Sequence, residues 1–284
     1  YAVALAKRYA ADAPADGAGS PPTQTPTPVL WEMTNEPNGM GGYLHDAALY
    51  ANMTAVVADA VHAAVDGAQV VGPATANTGF AWMQQIFEAG ALKHFDRVTI
   101  HPYRSDAPET AWDDLDTVAQ LVREYAPMDK AAIGGPPVLS GEWGYGAFTV
   151  GGKMQEAMLF ARVLLLTTAK TGQPSIWYQA CGPDVGEGEM GIMACSKDAH
   201  GTETFAPYPA YYAAQHMSAL FRNDGKAPGS APLDPSVAFR FVERLPVFQN
   251  GINTDDDFVL LYASEDGSDA LLVACTSSDF GHVV

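Results

Sequence analysis

Apolar residues along this chain follow two alternating rhythms. Between residues 46 and 66, Leu49, Met53, Val56, Val57, Ala60, Val61 and Ala64 recur three and four apart, which predicts a helix with one apolar face. On either side stand short apolar runs, residues 28–34 and 68–73, that lack in–out alternation and fit strands covered on both faces. The same pair of signals returns along the chain. Helices are predicted at 79–89, 110–125, 153–170 and 209–221, and strands at 95–100, 137–141 and 174–179. Gly90 and Gly172 stand where two of the helices should stop, and Pro209 sits in the first turn of the last. Trp112, Leu115, Val118, Val122 and Tyr125 make the apolar stripe of the helix at 110–125, and a further helix at 1–11 opens the chain. Strand starts lie roughly 35 residues apart, the size of βα repeats. Repeats of this kind suit a doubly wound sheet or a barrel, and periodicity alone does not choose between them.

Two stretches break the rhythm. Residues 12–28 are rich in Pro, Gly, Thr and Ser and read as a loop. Beyond residue 233 the helices give way to strand-like runs at 237–242, 258–263 and 270–276, with a Glu-Asp-Gly-Ser turn at 265–268. Residues 234–284 are therefore expected to start a small β-module, or to pack on the body formed by residues 1–233.

Composition narrows the classes. A chain of 284 residues is enough for one large domain, and 48% hydrophobic with 17% charged residues is globular, not disordered, material. The net charge of −18 repels phosphates and anionic membrane faces, which sets nucleic acid aside as a partner but leaves neutral polymers such as polysaccharides open. No apolar run reaches membrane-spanning length, and the longest, at 158–168, contains Arg162. The chain opens in a helix without an initial Met, so a fragment is expected whose export signal would lie upstream. Cys181 and Cys195 stand close in one loop region, either as a local disulfide of an exported protein or as isolated buried thiols.

The chemically informative residues stand where the strands end. The strand at 28–34 runs into Asn35-Glu36-Pro37-Asn38, and that at 95–100 into His101-Pro102-Tyr103. The strand at 137–141 runs into Glu142-Trp143-Gly144, and that at 174–179 carries Trp177. In barrels the C-terminal strand ends form the active-site face. Cleaving a glycosidic bond needs one carboxyl group to protonate the leaving oxygen and a second to attack the anomeric carbon or activate water. The two must begin in different protonation states. An aromatic ring offers a flat face to a sugar, and an Asn beside the acid can bind a hydroxyl.

The segments TNEPNG, HPY, SGEWG and IWYQ, in this order and spacing, resemble the active-site strands of clan A glycoside hydrolases, the cellulase-like family 5 or family 39. The resemblance covers about residues 28–221 and implies a partial (β/α)8 barrel carrying about strands 4 to 8. In that clan the acid/base Glu ends the fourth strand and the nucleophile the seventh. Here three βα units separate the two glutamates. Carried over, the resemblance implies that Glu36 is the acid/base and Glu142 the nucleophile of a retaining enzyme acting on β-linked poly- or oligosaccharides. Asn35 would contact the sugar, Tyr103 would hydrogen-bond the nucleophile, His101 would line the subsite and Trp177 would be the sugar platform. Residues 189–214 resemble the loop and last helix that close such barrels. The strands expected before Pro28, with the Arg that family 5-like enzymes draw from the second, are not in this chain, so the implied activity belongs to a parent protein, expected to be secreted.

Plainer readings stand beside these. His101 and Tyr103 also fit a scaffold role, Trp177 a core position, and Trp31, Trp82 and Trp112 helix packing. His45, His62, His94, His200, His216 and His282 share no spacing, HExxH is lacking, and no cysteine pair has zinc-site spacing, so neither metal nor cofactor is expected. Asp255, Asp256 and Asp257 read as a solvated turn. A non-catalytic carbohydrate-binding protein and a transglycosylase are the alternative functions. Retention would place the two carboxyl groups about 5–5.5 Å apart.

Overall fold

The structure, a computed structural model, describes residues 2–11, 30–39, 46–131, 134–173, 175–182, 189–197, 201–221, 239–249, 252–253, 257–264 and 267–276. The loop read at 12–28 lies outside the described residues, as do Pro28, Val29, Pro174, Val237, Asp255, Asp256, Glu265, His45, His200 and His282. The chain divides into two compact units: Tyr1–Pro102 with Thr117–Gly141, and Tyr103–Asp116 with Glu142–Val284.

The first unit runs α1 (Ala2–Ala11), β1 (Leu30–Glu32), α2 (Ala47–Ala64), β2 (Gln69–Ala76), α3 (Phe80–Glu88) and β3 (Arg97–His101). It then takes the second half of α4 (Trp112–Tyr125), the single turn α5 (Met128–Ala131) and the start of β4 (Val138–Trp143). β1 pairs with β2, β2 with β3 and β3 with β4, each parallel. β2 is buried at every position but its ends, as a strand covered on both faces must be. The Asp46 side chain accepts from the N–H groups of Ala48 and Leu49 and so caps α2. The buried face of α2 differs from the predicted one. Tyr50, Ala51, Thr54, Ala58 and Val61 are buried, whereas Leu49 and Val56 are 53% and 68% exposed. Apolar residues surround this helix nearly all round, so their spacing does not single out a face.

The second unit carries α6 (Ala147–Val150), α7 (Lys153–Thr171), β5 (Ser175–Trp177), β6 (Cys181–Gly182), β7 (Met193–Lys197), β8 (Glu203–Pro207) and α8 (Pro209–Phe221). β9 (Phe239–Leu245), β10 (Phe248–Gln249), β11 (Ile252–Asn253), β12 (Asp257–Ser264) and β13 (Ala270–Thr276) follow. Tyr178 N–H bonds Trp143 O at 2.9 Å beside β5, which completes the sheet order β1-β2-β3-β4-β5. Strands that stand in sequence order are those of a barrel; a doubly wound sheet reverses its order at a switch point. The fold is thus a partial (β/α)8 barrel followed by antiparallel strands.

β12 pairs antiparallel with β9 and β13, and this sheet packs on α7. Leu165 and Ala169 of α7, Met217 of α8 and Phe258, Leu260 and Tyr262 of β12 form one core cluster, and Tyr262 Oη donates to Leu165 O at 2.8 Å. Beside it, Glu109 is 4% exposed and takes a 2.7 Å bond from Arg162 Nε and another from Arg162 Nη2. Cys275 donates its thiol to the same carboxylate at 3.3 Å. Burial and the Glu109 charge push that thiol up to about 12, so it keeps its proton.

Three departures from the expected elements bear on the site. β1 is only three residues long, so Met33 and Thr34 have left the strand before Glu36 is reached. β4 runs two residues further than predicted and contains Glu142 and Trp143. The sheet β6-β7-β8 stands where the sequence predicts a loop. β8 is exposed along its whole length and β7 in part, so neither shows the alternation that betrays a strand. The Cys181–Cys195 disulfide ties β6 to β7. Asp257 is also corrected: it is 3% exposed and opens β12 opposite Thr276. No helix among the described residues is long and apolar enough to cross a membrane.

Candidate active site

In the first unit the chain leaves β1 through residues 33–39. Met33 N–H bonds Val71 O at 3.1 Å, Glu36 N–H bonds Ala74 O at 3.0 Å, and Gly39 N–H bonds Glu36 O at 2.9 Å. Asn38 closes the loop onto β2: its Oδ1 accepts from Ala76 N–H at 2.8 Å and its Nδ2 donates to Ala76 O at 3.2 Å. So tethered, Glu36 holds a left-handed backbone with φ 45°, and Ala74 and Asn77 opposite it have φ 55° and 54°. Non-glycine residues in this region cost about 1–3 kcal/mol each and persist only where the surroundings fix them. A register shift between Pro73 and Thr75 accompanies them, a device that re-aims side chains at strand ends.

His101 ends β3 and is completely buried. Its Nδ1 lies 3.1 Å from Glu36 Oε1, and its Nε2 faces Glu32 Oε1 at 3.8 Å. Glu36 and Glu32 keep about a third of their side-chain surface open. Gly141 explains one glycine of SGEWG. A Cβ there would stand 2.8 Å from Glu32 Oε2 and 3.2 Å from Thr99 Cβ.

In the second unit Tyr103 Oη donates to Glu142 Oε1 at 2.8 Å. Glu142 sits within β4, so its direction is set by the pleat of the strand. Its neighbour Trp143 is fully buried with the Arg104 guanidinium 5.5 Å from its ring centre. Tyr145 is buried as well, and its Oη donates to Asp106 O at 2.8 Å. Burial raises that phenol above its ordinary range. Trp177, half-buried at the end of β5, packs on Phe160 with ring centres 4.8 Å apart and on Tyr145 at 6.4 Å. Its Nε1 donates to Met190 O at 3.1 Å. A Cβ on Gly144 would collide with Tyr178 O and stand 3.0 Å from Met190 Cε, so this glycine lets the segment after β5 lie against β4.

Of the residues expected to carry chemistry, Glu36 and His101 meet in the first unit, and Tyr103 and Glu142 meet in the second. Asn35 is exposed on the bend before Glu36. Sequence reasoning missed Glu32, Asn38 and Met190. A charged residue inside the apolar run that forms β1 was a signal for Glu32. The grip of Asn38 on Ala76 spans 38 residues, and Met190 acts through its carbonyl, so neither leaves a local pattern.

No protein-family model and no curated protein matches the sequence. Solved structures do share the fold. A family 39 glycoside hydrolase from the gut symbiont Bacteroides cellulosilyticus WH2 superposes with a TM-score of 0.63 at 20% identity, over 87% of this chain and 47% of that one. An alpha-L-arabinofuranosidase from Thermotoga maritima gives 0.53 at 15% identity, over 87% and 51%. A monomeric beta-xylosidase from Caulobacter crescentus CB15 gives 0.51 at 18% identity, over 92% and 50%. This chain spans about half the length of those structures. The neighbours are glycoside hydrolases of the clan that the strand-end motifs resemble, family 39 among them, and at these identities the likeness establishes the fold.

Proposed function

We propose that Glu36 and Glu142 are the acid/base and the nucleophile of a retaining glycoside hydrolase acting on a poly- or oligosaccharide. The observation that carries this reading is that each of the two glutamates meets an aromatic partner at one oxygen, Glu36 the His101 imidazole and Glu142 the Tyr103 hydroxyl. In the first step a Glu142 oxygen bonds the anomeric carbon while the glycosidic C–O bond breaks and Glu36 gives its proton to the leaving oxygen. In the second, Glu36 takes a proton from water, the water oxygen bonds the anomeric carbon, and the ester to Glu142 breaks. Trp177 offers its ring to the sugar and Asn35 its amide to a hydroxyl. Residues 1–233 supply the barrel portion and residues 234–284 a β-module beside it.

β-Linked substrates are the expected class. The neighbours include a beta-xylosidase and an alpha-L-arabinofuranosidase, so aryl β-xylosides and aryl α-L-arabinofuranosides are the first substrates to assay, with the protein at its full natural length. Glu142→Gln and Glu36→Gln are each expected to lower kcat/KM at least about 10³-fold. Activity equal to wild type in either variant removes that residue from its role. Sugar binding without turnover points instead to a carbohydrate-binding protein, and products lengthened by an added acceptor sugar to a transglycosylase. We also propose export, since the Cys181–Cys195 disulfide suits an oxidising compartment. Both cysteines alkylating without prior reduction in the natural protein would contradict it.

A further inference from the structure

α7 follows its N-cap Gly152, and near its first turn it buries the side chain of Glu156, which is 0% exposed. Lys153 stands three residues before it with its Nζ 3.0 Å from Glu156 Oε2. The same ammonium donates to Glu189 O at 2.5 Å and to Gly191 O at 3.1 Å, and lies 4.3 Å from the ring centre of Tyr208. An ammonium has three donors. Two of them grip the carbonyls on either side of Met190.

The carbonyl of Met190 is the one that receives Trp177 Nε1–H at 3.1 Å, and it also accepts from Gln179 N–H at 3.2 Å. Its neighbour Ile192 N–H returns to Gln179 O at 3.0 Å. A chain of contacts thus runs from Glu156 through Lys153 to the carbonyls flanking Met190, and from Met190 O to the edge of the Trp177 indole. A buried ion pair is a weak source of net stability, because desolvation offsets its attraction. Burial pushes the Glu156 carboxyl up to about 7 even beside Lys153. What the pair supplies is direction: a fixed charge aimed at two carbonyls of a segment that has no long helix or strand of its own.

We infer that Lys153, held by Glu156, is a positioning residue that fixes the Met190 peptide and thereby the tilt of the Trp177 ring against which a sugar stacks. This rests on the reading of Trp177 as the sugar platform. Lys153 touches no substrate; it acts through Met190 and Trp177.

The test uses the indole N–H resonances of the whole chain, with that of Trp177 identified by Trp177→Phe, together with aryl-glycoside kinetics. Lys153→Met keeps the aliphatic stem and removes the ammonium. It is expected to move the Trp177 indole resonance and leave those of Trp31, Trp82 and Trp112 in place. It is also expected to lower kcat/KM about tenfold in the wild-type background and less than about twofold in a Trp177→Ala background, since coupled residues do not add. Lys153→Arg, which still points N–H donors at the two carbonyls, should recover most of both signals. Thr167→Ala, which removes a buried hydroxyl bonded only within α7, should destabilise the chain without moving the Trp177 resonance. If Lys153→Met does not fold, Glu156→Gln stands in for it and should move the same resonance in the same direction by less. A Trp177 resonance that stays in place, or an equal kinetic loss with and without Trp177, overturns the inference. A wild-type protein inert toward every glycoside refutes the functional reading, and the Trp177 resonance then decides the positioning alone.

Discussion

Glu142 and Glu36 are held by opposite means. Glu142 is part of β4, and the strand that positions it also builds the core. Glu36 lies four residues beyond β1 in a left-handed backbone, and its loop is tied to β2 at Ala74 and Ala76. A residue within a strand inherits its direction from the sheet and needs one local partner, here Tyr103. A residue beyond a strand needs a set of tethers, and each tether is a point at which the geometry can fail. Aiming errors near 1 Å can cost about 100-fold in rate, so the loop-held glutamate should be the more sensitive of the two to changes in its supports.

The largest expected effect follows from Asn38. Asn38→Ala removes both bonds to Ala76 and should lower kcat/KM about 100-fold on substrates with poor leaving groups. The loss should be far smaller on dinitrophenyl glycosides, whose leaving group needs no proton. Tyr103→Phe, the counterpart on the strand-held side, should cost about tenfold on both kinds of substrate, as loss of one hydrogen bond to a charged group does. Equal leaving-group profiles for the two variants would erase the distinction between acid and nucleophile supports. Gly144→Ala comes next. It forces the added Cβ onto Tyr178 O and should destabilise the chain by about 1–3 kcal/mol in denaturant titration. A neutral result would show that the segment after β5 can retreat from β4.

The smallest effect concerns Glu156. Its folded pKa is raised to about 7 from an ordinary 4.5, so the folded chain binds the proton more tightly than the unfolded chain does. The resulting stability is fully present below about 4.5 and is lost as pH rises to about 7, where the buried carboxyl must ionise. Glu156→Gln should therefore gain on wild type steadily across this window and hold that gain above it. A gain that does not change with pH would mean that titration of Glu156 is not its source.

The same contrast governs how far the sequence could be read. Strands and helices of the repeat region were legible because buried parallel strands and amphipathic helices each impose a period, and α8 falls where 209–221 was predicted. The contact of Tyr103 with Glu142 was legible through the motifs HPY and SGEWG, which follow or close two predicted strands. The hold on Glu36 was not, since its tethers at Ala74 and Ala76 are remote in sequence and are backbone groups, which leave no mark in the residue pattern. The buried face of α2 differs from the predicted one because apolar residues run nearly all round the helix, and Tyr50, Ala51, Thr54, Ala58 and Val61 are the ones buried. β6, β7 and β8 escaped because a short, exposed sheet pinned by a disulfide needs no hydrophobic period.

The pairing of Glu142 as nucleophile with Glu36 as acid/base is tested most directly by trapping the covalent intermediate. A 2-fluoro aryl glycoside slows breakdown of the glycosyl ester more than its formation, so the sugar should remain on the protein. Peptide mass spectrometry is expected to find it on Glu142, with the first-formed sugar released from ordinary substrate in the retained configuration. A label on any other residue, or a first product of inverted configuration, would contradict the assignment.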